Sequence, residues 1–327
     1  MNAAGHEMSN AVEHLLGHCG NLASGERFLL VVDPTTKHLA ARFLRAAEAL
    51  SAVAEVIEIG LADRHGVEPP TAVASRMQHA DLVAGLTRMS LAHTRARQAL
   101  CAAGGRYLSL AGYSENLLRD PCLLADYRGQ YRLTRAVAEA FTAGSSVRVA
   151  APGGTDLRLG IAGRVGNCCP GFVDAHCRLG SPPDIEANVS PVEDESEGVA
   201  VIDGSVACDA IGLLEVPIRL EIDRGRIVSV TSVRSDYVAG VNELFAAVDD
   251  PKSYVLAECG VGLNPLAVLT GNMLTDEGAL GCVHFGFGSN ITVGGLNDVP
   301  FHVDFVIRNA NLWIDDRRII DAGRPCI

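Results

Sequence analysis

The sequence predicts an α/β N-terminal domain built on a Rossmann-like parallel sheet, followed by a mainly β (α+β) C-terminal domain. Short apolar runs alternate with amphipathic helical stretches through the first half, and after about residue 145 glycine and short β-branched runs take over. A chain of 327 residues also exceeds the roughly 250–300 at which a single core stops growing. The expected domains are a scaffold over residues 1–145 and a metal-site domain over 146–327.

Phe28-Leu29-Leu30-Val31-Val32-Asp33 is a mostly apolar run, as a strand buried on both faces should be. Pro34-Thr35-Thr36 opens a helix whose apolar positions Leu39, Phe43, Leu44, Ala47 and Leu50 recur every three to four residues and form one stripe. Val53–Ile59, Leu82–Leu86 and Arg106–Ala111 read as further strands, with helices near Ser90–Ala103 and from about Leu123 to Ala143. Strand–helix–strand order implies right-handed crossovers and parallel pairing. No G-x-G-x-x-G follows the first strand, and its turn has no glycine, so the sheet reads as a scaffold and not as a dinucleotide site.

In the second half, Val147–Ala150 and Asp156–Ile161 flank a Pro152-Gly153-Gly154 turn. Val199–Ile202 runs into Asp203-Gly204, a tight-turn pair, and Pro217–Ile222 with Arg226–Val233 flanks Asp223-Arg224-Gly225. Tyr254–Glu258, Cys282–Phe287, Phe301–Ile307 and Leu312–Ile314 complete the strands.

Lys plus Arg is 27 and Asp plus Glu 39, giving a net charge of −12. That balance argues against a nucleic-acid partner, which needs a positive footprint. With 48% apolar and 20% charged residues the chain has the composition of an ordinary globule. Its apolar runs are far short of the ~20 residues that span a bilayer. Met1–Asn10 lacks a basic segment followed by an apolar one, so neither membrane insertion nor secretion is expected. Ten cysteines are too few for a disulfide scaffold, and Cys101, Cys122 and Cys208 sit singly in apolar stretches. A reducing cytoplasm is the expected location.

The sharpest chemical signal is Phe301-His302-Val303-Asp304-Phe305. Residues two apart on a strand share a face, so His302 and Asp304 project together as half of a divalent-metal site. His284 stands in the glycine-rich run Gly281–Gly288, and a buried imidazole needs partners for both nitrogens. Glu258 ends the apolar run Tyr254–Glu258 and places a charge at the edge of a core, where it must be paired or metal-bound. Glu186, in Pro182-Pro183-Asp184-Ile185-Glu186, is a fifth candidate that spacing alone does not separate from Glu193, Glu195 or Glu197. Cys168, Cys169, His176 and Cys177 form a rival ligand set within ten residues, although adjacent cysteines are unusual in structural zinc sites.

Ala257–Pro265, Gly281–Gly288, Gly294-Gly295 and His302-Val303-Asp304 together resemble the C-terminal domain of the aminopeptidase T/aminopeptidase S metallopeptidases, and Gly154-Thr155-Asp156-Leu157 resembles a turn of that family. Pro191–Gly198, Arg308-Asn309 and Asp315-Asp316 resemble the 2,5-dihydroxypyridine 5,6-dioxygenases, which share the architecture. The resemblance covers about residues 145–320 well and the first half in outline.

The peptidase resemblance implies two metal ions held by two glutamates, two histidines and an aspartate, which fall on Glu186, Glu258, His284, His302 and Asp304. The dioxygenase resemblance implies one iron held by two histidines and an aspartate. The first of those histidines falls on Glu258, and apolar residues occupy the positions of Glu186 and His284. The peptidases' catalytic tyrosine is missing from Gly288-Ser289-Asn290-Ile291-Thr292. His93 lies near where the dioxygenases place a pocket acid/base histidine.

On the complete five-ligand set, the expectation is a metal-dependent hydrolase that cleaves a C–N bond, amide or peptide-like, in a small molecule. Two divalent ions (Zn, Mn, Co or Fe) would activate water, Glu258 would bridge, and Glu186 would shuttle protons. The first alternative is a ring-cleaving dioxygenase acting on a hydroxylated N-heteroaromatic, with a single Fe(II) held by His284, His302 and a carboxylate. The second is a non-catalytic metal-binding protein. A homodimer or higher homo-oligomer is implied by the resemblance alone.

Overall fold

The computed structural model describes residues 3–208 and 210–327; Met1 and Asn2, the first residues of the Met1–Asn10 stretch considered above, and Asp209 lie outside the described residues. The chain forms two compact units, Met1–Arg128 with Gly171–Pro182, and Gly129–Pro170 with Pro183–Ile327. The change of texture near residue 145 marks the end of helix α5 (Tyr127–Ala143), whereas compactness divides the chain near the start of that helix. Sequence texture reports local periodicity, not the core against which a helix packs. A Cβ at Gly144 would stand 2.3 Å from Ile314, and one at Gly166 would stand 2.8 Å from Phe141, so α5 is seated in the second unit.

The first unit is built on a five-stranded parallel sheet in the order β2-β1-β3-β4-β8, with β1 Arg27–Val32, β2 Val53–Glu58, β3 Leu82–Leu86, β4 Arg106–Ser109 and β8 Leu179–Gly180. Beside it stand α1 (Ala3–His14), α2 (Ala40–Ala49), α3 (Thr71–Gln78) and α4 (Arg95–Ala102). Leu29, Val31 and Val83 pack with Val73 and Met77 of α3, Leu100 of α4 and Tyr107 in one core. Each such side chain contributes about 1.5–3 kcal/mol when buried.

Helix starts fall later than the sequence suggests. Thr94 caps α4 by accepting from the Arg97 amide, so Ser90–His93 form a turn. A 3₁₀ turn at Lys37–Leu39 precedes α2, and another at Pro121–Leu124, capped by Asp120, precedes α5. At Thr94 and Asp120 a short polar cap overrides apolar periodicity because it satisfies an orphan amide of the first turn.

The second unit carries two antiparallel sheets. An eight-stranded one runs β14-β13-β10-β6-β5-β18-β19-β20, from β5 Ser146–Ala151, β6 Thr155–Gly160, β10 Ser196–Ile202, β13 Ile218–Asp223, β14 Arg226–Thr231, β18 Asn311–Ile314, β19 Arg317–Asp321 and β20 Arg324–Pro325. A seven-stranded one runs β12-β11-β17-β16-β15-β9-β7, from β7 Asn167–Cys169, β9 Glu186–Val189, β11 Ser205–Val206, β12 Gly212–Leu213, β15 Leu256–Gly262, β16 Cys282–Gly288 and β17 His302–Arg308.

Arg224 (φ 44°) and Gly225 (φ 71°) both take positive φ, as a two-residue hairpin loop requires, and join β13 to β14. Asp203-Gly204 does not close a hairpin. It carries the chain from one sheet to the other, and the Asp203 carboxylate accepts from the Arg308 amide at 2.8 Å. Helix α6 (Ser235–Ala246), absent from the elements expected above, brings Phe245 against Phe287 and Phe305. Among the described residues, no helix is long and apolar enough to cross a membrane.

Candidate metal centre

Strand alternation sorts the seven-stranded sheet into two faces. Phe285, Phe287, Val303, Phe305, Cys259 and Val261 point one way into the core, and all are buried. The opposite face carries Cys169, Glu186, Asn188, Glu258, His284, His302 and Asp304 from five adjacent strands. Glu258 lies inside β15, not at a strand end as the sequence suggested, because Cys259–Gly262 continue the strand.

The register explains why so many donors fit. Glu186 pairs with Gly262, His284 with Gly260, Glu258 and Asp304 with Gly286 from either side, and His302 with Gly288. Each donor thus faces a position without a side chain. A Cβ at Gly260 would stand 2.0 Å from His284 Nε2, and one at Gly286 would stand 2.7 Å from His302 Nε2 and 2.9 Å from Asp304 Oδ1. Gly260→Ala is therefore expected to displace the His284 ring, lowering metal affinity at least ~10-fold, the lower end for disturbing a ligand's support. Metal titration of the folded variant checks this.

The donors converge. His302 Nε2 lies 3.3 Å from Asp304 Oδ1 and 3.5 Å from Glu258 Oε2, and His284 Nε2 lies 3.1 Å from Glu186 Oε2 and 3.7 Å from Glu258 Oε1. Glu258 thus joins two groups, Glu186–Glu258–His284 and Glu258–His302–Asp304. The set expected for the single-iron alternative, both imidazoles with one carboxylate, is not one of these groups, because each imidazole has its own acidic partners. A third group joins Cys169, Asp184 and Glu186. Cys168 and Cys169 belong to one compact unit and His176 with Cys177 to the other, where Asp174 accepts from both the His176 and Cys177 amides.

Glu193, the nearest rival to Glu186, is engaged elsewhere. It pairs with Arg164 and accepts from Asn290 and the Leu296 amide. His93 sits in the turn before α4, in the first unit. Two acids at the centre escaped the sequence reading. Asp184 was visible only as a neighbour of Glu186, and Glu277 lies in a turn after the short helix α7 (Met273–Asp276) with no pattern to mark it.

Burial pushes the Asp184 and Glu277 carboxyls well above the ordinary range, with Glu186 and Asp304 respectively adding to it; Glu277 shares a hydrogen bond with Asp304. Burial also raises Glu258. Burial alone would lower His284 and His302, but Glu186 for the former and Asp304 for the latter outweigh it, and His302 is pushed up to about 10. Asp304 moves the other way: burial opposes, and the neighbouring His302 holds its carboxyl well below the usual range.

These residues fit a divalent cation. His302 Nδ1 is 2.8 Å from the Ser289 carbonyl, which can only accept, so Nδ1 carries a proton. In the neutral ring Nε2 then presents its lone pair between two carboxylates, an arrangement that needs a positive charge among the three. Imidazole with carboxylate suits iron, zinc or manganese.

A seven-stranded sheet face that gathers acids and imidazoles suits a metal ion, and the fold of this chain recurs in two solved structures. The chain aligns with 2,5-dihydroxypyridine dioxygenase from Pseudomonas putida KT2440 at a TM-score of 0.81 and 21% identity, covering 98% of this chain and 96% of that one. With wild-type AmpT from Thermus thermophilus the TM-score is 0.67 at 17% identity, covering 99% and 100%. A curated relative, 2,5-dihydroxypyridine 5,6-dioxygenase of Pseudomonas putida KT2440, is 26% identical over 258 residues, 76% of this chain and 71% of that protein. The family described as NicX: 2,5-dihydroxypyridine 5,6-dioxygenase matches residues 7–326. The chain belongs to this family.

That membership overturns the hydrolase expectation. The five-donor set favoured the peptidase branch, but the family match over nearly the whole chain and the curated relative both name a dioxygenase. Carboxylates and imidazoles serve either chemistry, so donor type alone was a poor guide to the reaction.

Proposed function

We propose that the chain is a ring-cleaving dioxygenase that takes a hydroxylated N-heteroaromatic of the 2,5-dihydroxypyridine class. The observation that carries this reading is the family match over residues 7–326. The convergence of His302, Asp304 and Glu258 on one face supports it. Those three residues would hold the iron. A ferrous ion supplies the one-electron chemistry toward O₂ that no side chain possesses.

The chain's own residues prepare that position. Ser289 fixes the His302 ring by accepting from Nδ1, and Glu277, kept protonated by burial, donates to Asp304. Asn188 donates to Glu186 Oε1 at 2.6 Å and orients it.

The test is chelator-stripped protein reloaded anaerobically with Fe(II) and offered 2,5-dihydroxypyridine in an oxygen electrode. Oxygen uptake with loss of the ring's ultraviolet absorbance is expected, both oxygen atoms entering the product, and zinc-loaded protein should be inert. Absence of uptake on a panel of hydroxylated pyridines would sink the reading.

A further inference from the structure

The iron position accounts for Glu258, His302 and Asp304. It leaves Asp184 and Glu186 on the same side of the sheet with His284, which Glu258 shares. Next to them stands a thiol. Strand β7 is the last of its sheet and pairs with β9 so that Cys169 is directly opposite Glu186. One donor atom each from Cys169, Asp184 and Glu186 lies within 4.8 Å of the others.

Three further features mark this spot. Asp184 Oδ1 is buried with no hydrogen-bond partner, which is costly for a carboxylate oxygen unless a cation or proton meets it. Beside it, Gly278 leaves space that a side chain would fill, since a Cβ there would stand 2.9 Å from Asp184 Oδ1. The Asn188 amide nitrogen, 2.6 Å from Glu186 Oε1 and 3.9 Å from Cys169 Sγ, backs both donors as hydrogen-bonding groups behind metal ligands do.

We propose that Cys169, Asp184 and Glu186 form a cation site of their own, distinct from the iron position and selective for a borderline ion such as zinc or cobalt. One thiolate excludes magnesium and calcium, which take oxygen donors, and two carboxylates disfavour the softest ions. The site is independent of the ring-cleavage reading.

Cobalt reports it directly. Full-length protein, stripped by chelator, is titrated anaerobically with Co(II) while bound cobalt and the near-ultraviolet thiolate-to-cobalt charge-transfer band are followed. Two cobalt ions per chain and a thiolate band are expected in wild type. Cys169→Ser should lose the band and one ion, Cys168→Ser should keep both, and Asp184→Asn should weaken the band-forming ion at least tenfold. Asp304→Asn should lose one ion but keep the band. X-ray absorption of the cobalt-loaded wild type needs no variant and should show a sulfur neighbour. No band and no sulfur neighbour at saturating cobalt, or a band that survives in Cys169→Ser, overturns the site. Oxygen uptake does not enter this measurement, so failure of the dioxygenase reading leaves it intact.

Discussion

Asp304→Asn is expected to abolish ring cleavage while leaving the fold intact. The side chain is 2% exposed, lies 3.3 Å from His302 and stands over Gly286, so the amide occupies the same space. What it loses is the charge that His302 and the cation require. Changes to residues hydrogen-bonded behind a ligand cost roughly 10–100-fold, and removal of a donor that touches the ion should exceed that range. Oxygen uptake on 2,5-dihydroxypyridine and bound iron per chain should fall together. Activity above about a tenth of wild type, a loss smaller than even that range, would exclude Asp304 from the iron set.

Metal-free protein is expected to lose stability as pH rises from 6 to 9, and metal-loaded protein to be nearly flat. His284 and His302 hold protons more tightly folded than unfolded, so the stability they contribute is complete below their unfolded value, about 6.5. It is lost as pH climbs through the folded values, about 10 for His302. The raised carboxyls of Asp184, Glu258 and Glu277 act in the same sense, beginning at lower pH. Asp304, whose folded value is depressed, contributes stability above its unfolded value that disappears only in acid. A bound cation takes the place of the protons. Thermal melts with and without chelator should show a fall of at least about 4 °C in the metal-free protein, the scale of one kcal/mol or so in a domain of this size. A metal-free Tm that is level or rises toward pH 9 would contradict the account.

Much of the fold was legible because its signals are local. The apolar runs at β1 and β3 and the Arg224-Gly225 turn state their conformation in a few adjacent residues. Asp203-Gly204 misled because a turn dipeptide does not say which strand follows it in space, and here the next strand belongs to another sheet. Helix α6 did carry a local signal, since its buried Tyr237, Val241 and Phe245 recur every four residues along one face, but the stripe is only three residues long and stands among strands. At the centre, His302-Val303-Asp304 is visible as a pair on one strand face. The choice of Glu186 over Glu193 needed tertiary structure, since only pairing with β15 brings the former to the donors, while Arg164 holds the latter. Glu277 reaches Asp304 from a turn, a contact that strand spacing cannot encode.

The pairing of Glu186, Glu258, His284, His302 and Asp304 with residues 260, 262, 286 and 288 has a bearing on how related sequences are compared. A relative that keeps every acid and imidazole but has gained even a methyl group at one of those four places should be read as having lost its ion. One that exchanges a donor while leaving the four bare has kept the mounting and changed only the fitting. The inventory of vacant places is thus as diagnostic of a working centre as the inventory of ligands.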